Sequence, residues 1–135
     1  MPVVIALSVA VHAQPTLAKL TLDALQNRRR VLVAFAADAE DPRLLVQRRA
    51  AAELARDGDD RDLTFAVVTG STVRGLSDSA GALRSRLRVR PEEFRVVLVG
   101  KDGHAALDEP APVSAETVRR RIDAMPMRRR ETRWR

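Results

Sequence analysis

Three carboxylates crowd one turn of this chain: Asp38, Glu40 and Asp41 follow the apolar run Val31–Ala36 and end at Pro42. Carboxylates spaced this way can cap a helix N-terminus, hold a cation or move protons. Beside a helix N-terminus the ionised form is favoured, which directs them to capping or cation binding more than to acid catalysis. A second group is Lys101 and Asp102, next to His104 in the turn Gly100–Gly103. The third is Arg128, Arg129 and Arg130, followed by Glu131 and Arg133-Trp134-Arg135. Arginine clusters pair with phosphates, sulfates and carboxylates, and a tryptophan among them suits a membrane interface. Lys101, Asp102, Arg128, Arg129 and Arg130 are the foremost candidates for binding; Asp38, Glu40 and Asp41 form the alternative functional cluster.

Other chemistries lack their residues. The chain has no cysteine, so disulfides, thiolate nucleophiles and cysteine metal sites are excluded. His12 and His104 are the only histidines, and neither has the partners of a zinc site. In Asp57-Gly58-Asp59-Asp60-Arg61-Asp62 the glycine and the twelfth-position glutamate of a calcium loop are misplaced or missing. Gly70–Gly75 has P-loop glycine spacing but Leu76-Ser77 where Lys and Ser/Thr are required, and Gly75–Ser79 lacks the closing glycine of a nucleophile elbow. His104 lacks a recognisable nucleophile to activate. No metal and no cofactor is expected.

At 135 residues, 45% of them apolar, the chain has room for one domain with one core. Aromatics are only 3%, so Val, Leu, Ile and Ala must fill it. The net charge of +6 sits wholly in residues 117–135, where eight Arg face Asp123 and Glu131; the remaining bases and acids balance. With no aromatic stacking platform, nucleic acid is not an expected partner.

Positioning the three groups requires a definite series of elements. Met1–Ala13 is uncharged, with an apolar run from Val3 to Val11 and a small-residue site, Val11-His12-Ala13. It is expected to be a signal peptide, although its n-region has no basic residue, and it directs the protein to the periplasm or beyond. Residues 14–27 form an arm, 28–127 the domain and 128–135 a basic tail. Val31–Ala36, Leu63–Val68 and Phe94–Val99 read as buried strands, with Ala105–Leu107 as a short return strand. Asp41-Pro42 opens a helix to about Arg56, with Leu44, Leu45, Ala51 and Leu54 inward. Ser79–Leu87 is a second helix, and Gly70–Asp78 between is turn-rich. Ser114 caps a last helix, stapled by Val113 and Val118 and stopped at Pro126. The order β-α-β-α-β-β-α predicts an α/β fold: a four-stranded mixed sheet with helices on both faces, thioredoxin-like.

Several of these segments together resemble a family. Leu98-Val99-Gly100-Lys101-Asp102-Gly103, Ile122-Asp123-Ala124-Met125-Pro126-Met127-Arg128 and Glu131 are similar to a bacterial domain family of unknown function. Arg30–Ala36, Asp41-Pro42-Arg43 with Gln47, and Arg61-Asp62-Leu63 fit the same pattern, so the resemblance spans roughly residues 26–131. That family is similar to domains repeated in vertebrate secreted matrix proteins, including equarin and sushi-repeat proteins. The resemblance implies a thioredoxin-like, peroxiredoxin-related fold and an exported protein; it carries no catalytic residues. Thioredoxins and peroxiredoxins keep a reactive thiol where the first strand meets the first helix, and here that turn is Ala36–Asp41.

The leading expectation is therefore an exported, non-catalytic thioredoxin-like module that binds an anionic ligand or another exported protein. One alternative is a peroxiredoxin-related enzyme using carboxylates and His104 in non-thiol chemistry. Another is a binder of anions or a membrane surface through the tail alone.

Overall fold

The run that follows Arg28-Arg29 forms β1 (Arg30–Ala36), a strand buried at every position. Side chains alternate across a strand, so a continuous apolar run needs cover on both faces. Val31, Val33 and Phe35 enter one core layer while Leu32, Ala34 and Ala36 enter the other. The computed structural model describes residues 20–57 and 60–133. The expected signal peptide, most of the arm, Gly58, Asp59, Trp134 and Arg135 lie outside the described residues.

β1 is the centre of a five-stranded sheet of order β3-β2-β1-β4-β5. β2 (Leu63–Thr69) runs parallel to it, with Arg30 opposite Leu63. β4 (Arg95–Val99) runs antiparallel on the other side, with Val31 opposite Val99, and β5 (Ala105–Glu109) returns along β4. The sequence predicts four strands. The fifth, β3 (Thr72–Arg74), lies in the stretch read as turn-rich and pairs with Val67–Thr69. Three residues are too few to show a period. The chain leaves β3 at Gly75, whose φ is +93° and whose backbone lies against Phe65: a Cβ there would come within 2.4 Å of the Phe65 carbonyl oxygen. Only glycine fits that approach.

Helices cover both faces. α1 (Leu22–Leu25), capped by Thr21, and α3 (Ala80–Leu87), capped by Ser79, bury Leu22, Leu25, Ala80 and Leu83 on one side. On the other lie α2 (Pro42–Arg56) and α4 (Ala115–Asp123), contributing Leu44, Leu54, Ala115, Val118 and Ile122. Leu45, expected inside, is 55% exposed; the buried positions are Leu44, Gln47 and Leu54. Gln47 is fully buried because its amide pairs with the Val113 backbone, donating to the carbonyl at 3.0 Å and accepting from the N–H at 2.7 Å. That mimic of a β-ladder anchors the loop before α4.

Pro126 both follows one helix and begins the next. α4 ends at Asp123, and Pro126 opens α5 (Pro126–Arg133) at a position that needs no N–H. Among the described residues no helix is long and apolar enough to cross a membrane.

Candidate functional site

The upper end of the sheet, where β1 and β2 finish, is where ligands of open α/β sheets bind. Asp38, Glu40 and Asp41 stand there, between β1 and α2. Asp38 accepts the Glu40 N–H at 2.7 Å, closing a local turn. Asp41 caps α2 by accepting the Arg43 N–H at 2.9 Å, and its carboxylate is gripped by the Arg43 guanidinium at 3.0 and 2.7 Å. The Arg43 hydrogen bonds hold the Asp41 carboxyl below its usual range, against the opposing effect of burial. Arg43 in turn lies 4.4 Å over the Phe94 ring. The hollow here is shallow, and of its side chains Asp41 and Arg43 are spent on each other. Among the described residues, no three Asp, Glu, His or Cys side chains converge as a cation site would require.

The lower end of the sheet is built differently. Arg30, at the first position of β1, is wholly buried, yet its guanidinium meets Glu131 of α5 at 3.0 and 3.3 Å and the Arg61 carbonyl at 2.8 Å. Lys101, 8% exposed, reaches Glu131 at 3.0 Å and Asp62 at 2.8 Å. Arg128, 3% exposed, bonds the Asp60 carboxylate at 2.6 Å and its carbonyl at 2.8 Å, with Asp123 at 3.4 Å. Arg61 closes the ring on Asp123 at 3.0 Å. Four cations thus meet four carboxylates, and the cluster is neutral. Burial pushes the Glu131 carboxyl up, but hydrogen bonds from Arg30 and Lys101 outweigh it and leave it below its usual value. Asp123 is lowered chiefly by its bond to Arg61.

The residues singled out from sequence are divided by this arrangement. Lys101 and Arg128 enter one network through Glu131 and the loop before β2. Asp102 is exposed, accepting the His104 N–H through its carboxylate at 3.0 Å and Gln26 Nε2 through its carbonyl at 3.1 Å. Arg129 and Arg130 stand on the solvent side of α5. A cavity of ≈ 130 Å³ opens between the β4–β5 turn and the start of α5, walled by Arg30, Lys101, Met125 and Met127. Its two cations point their charges at Glu131 and Asp62, so it offers a ligand little unspent charge.

Sequence reasoning did not connect Arg30, Asp60, Asp62 and Glu131. Their signals were faint: a third arginine running into an apolar strand, and a lone glutamate three residues after Arg128. Chemically the cluster is a lock. It ties β1, the α2–β2 loop, the β4–β5 turn, α4 and α5 at one point, and every cation in it has an acceptor. The segments that carried the family resemblance are largely these tie points, together with Gln47 and the Asp41–Arg43 cap.

Neither the curated proteins nor the solved structures contain a match to the chain. The domain of unknown function DUF4174 matches residues 21–131, from the cap of α1 to the glutamate that closes the lock, and the chain belongs to that family.

Proposed function

We propose that this protein is an exported, non-catalytic binding module of thioredoxin-like architecture. The observation that carries the reading is the turn after β1. Where a thiol enzyme of that architecture would place its nucleophile, this chain has Asp38-Ala39-Glu40-Asp41, engaged in capping and local turns, and it has no cysteine anywhere. The architecture is supported by the central strands: β1 parallel to β2, antiparallel to β4, and β4 paired with β5 as a hairpin. Kinship with the domains of equarin and sushi-repeat matrix proteins belongs to the same proposal, as does export, which rests on the apolar run of residues 3–11.

The test is direct. Purified protein should consume no peroxide, and affinity capture from the periplasmic or secreted fraction should recover a stoichiometric partner or small ligand. Turnover of any substrate that is lost in Asp38→Ala would sink the reading. N-terminal sequencing of the exported protein tests the leader; a retained Met1 counts against cleavage.

A second reading has one observation in its favour. Arg129, Arg130 and Arg133 are exposed on α5 and have no partner among the described residues, so an anionic surface could meet them. Fluorescence of Trp134, the sole tryptophan, should blue-shift with anionic vesicles at low salt if that contact forms; no shift removes this reading.

A further inference from the structure

The α2–α4 layer does not cover its whole side of the sheet. On that face Leu63 and Phe65 of β2 are only partly buried and pack at the margin of the core, with Val67 beyond them. Between them and α2 runs a trough. Its lower part, ≈ 290 Å³, is lined by Leu54, Ala55, Leu63 and Phe65, and its wider upper part, ≈ 860 Å³, continues past Val67 to Thr72. The two parts share Ala51, Ala55 and Phe65, so they are one channel. β2 is seven residues long, which makes the channel about 20 Å from end to end.

Its charges are one-sided. Arg29 and Arg61 line the lower part and Arg48 and Arg74 the upper, and no carboxylate side chain lines either. The lower pair is committed: Arg61 to Asp123, Arg29 to Thr64 Oγ1 at 2.6 Å and the Leu63 carbonyl at 2.8 Å. Arg48 on α2 and Arg74 on β3 face the channel from opposite walls, exposed and without a partner among the described residues. A ligand fitted to this surface is apolar along its length and anionic at its upper end.

We propose that the trough binds a single-chain aliphatic carboxylate, its chain lying on Phe65, Val67 and Ala55 and its headgroup held between Arg48 and Arg74. An extended peptide fits less well. β3 pairs only with Val67–Thr69, so the outer edge of β2 below it lies outside the ladder; the floor of the trough, however, is made of apolar side chains, and peptide N–H and C=O groups lying on it would find no partners. A bilayer fits less well again, because the apolar surface is recessed between α2 and β3 rather than protruding. The chain instead removes apolar area from water and needs no hydrogen bond along its length.

The inference names the ligand class of the binding module proposed above, and rests on that reading. The test titrates the full 135-residue protein with laurate by calorimetry, at monomeric laurate concentrations. Saturable binding at one site is expected. Arg48→Ala with Arg74→Ala should weaken it about tenfold or more, since two charge-assisted contacts are lost. Dodecanol should bind weaker than laurate by a similar factor, and Arg49→Ala, at an exposed position of α2 that does not line the trough, should leave laurate affinity unchanged. Ala55→Trp should abolish binding by filling the channel; should that variant not fold, Ala52→Glu, at an exposed position on the same wall, should repel the carboxylate. The proposal is overturned by native protein that does not bind laurate, by binding that survives the blocking variants, or by dodecanol binding as tightly. Failure here, with peroxide and turnover assays still negative, rejects the ligand and leaves the module reading standing; turnover rejects the module whatever laurate does.

Discussion

The two ends of β1 hold similar residue types in opposite conditions. At the upper end Asp38 and Glu40 are exposed and Asp41 serves the helix that follows it; the contacts of Asp38 and Asp41 stay within two residues. At the lower end Arg30, Lys101 and Arg128 are buried around a half-buried Glu131, drawn from segments up to 101 positions apart. The polar accounting also differs. Every cation of the lower cluster finds an acceptor. Arg84, by contrast, reaches the upper end by donating to the Gly70 carbonyl and leaves Nε and Nη2 buried with no partner among the described residues. A satisfied buried network makes an end rigid; an end of solvated carboxylates and one under-used guanidinium is free to vary. The comparison teaches that charge density alone does not mark a site, because the densest cluster here has neutralised itself.

Removing Glu131 should break this contrast most forcefully. Glu131→Ala strands Arg30 and half of the Lys101 interaction, at a cost of about 3 kcal/mol, read as a fall in Tm of roughly 10 °C. Arg30→Met combined with Glu131→Leu should recover much of it, because the penalty is an unpaired buried charge rather than a lost attraction. A Glu131→Ala protein as stable as the parent would mean that the lower end is no lock.

Acid tests the same end through linkage. Glu131 and Asp123 have folded values below their ordinary ones, so the unfolded chain binds protons first as pH falls. Their stabilisation is complete above the ordinary carboxylate range and is lost as pH drops through the depressed folded values. Glu93, pulled down to about 2 by hydrogen bonds from Arg90 and Arg95, adds a similar dependence between about 4.5 and about 2. Tm should hold from pH 7 to about pH 5 and fall from there to pH 3, less steeply in Glu131→Gln. A slope indifferent to that substitution contradicts the assignment.

The upper end should respond weakly. Asp41→Ala removes the α2 cap and should cost about 1 kcal/mol by chemical denaturation. Arg84→Leu should change stability by less than about 1 kcal/mol, with either sign, since the lost Gly70 contact is offset by removing a buried unpaired group. Asp38→Ala should be smallest, within about 0.5 kcal/mol. A large loss of stability from Asp38→Ala would show that the solvated turn is more than a connection.

Much of the molecule was legible because its signals are local. A continuous β-branched run identifies a strand covered on both faces, and Val31–Ala36 is that strand. Asp41-Pro42, Ser79 and Ser114 mark helix starts through the hydrogen bonds their own side chains make. What failed was short or conditional. β3 has three residues, and α4 does stop before Pro126, but the helix that follows went unread because proline can begin a helix as readily as it ends one. Helical spacing of the apolar residues points Leu45 inward, but the inner stripe of α2 runs through Gln47, whose polarity hides its role. The candidate residues were legible as types and not as a group: Lys101 and Arg128 belong together, while Asp102, Arg129 and Arg130 do not share their burial.

By itself the sequence determined where the longer strands and helices lie, and that no thiol chemistry is possible, because periodicity, caps and residue identity act within a few positions of the chain. Which charges are silenced and which remain for a partner was decided only by the tertiary structure. Pairing Arg30 with Glu131 and Lys101 with Asp62, while leaving Arg48 and Arg74 open above an apolar channel, depends on distances between segments that no local pattern encodes.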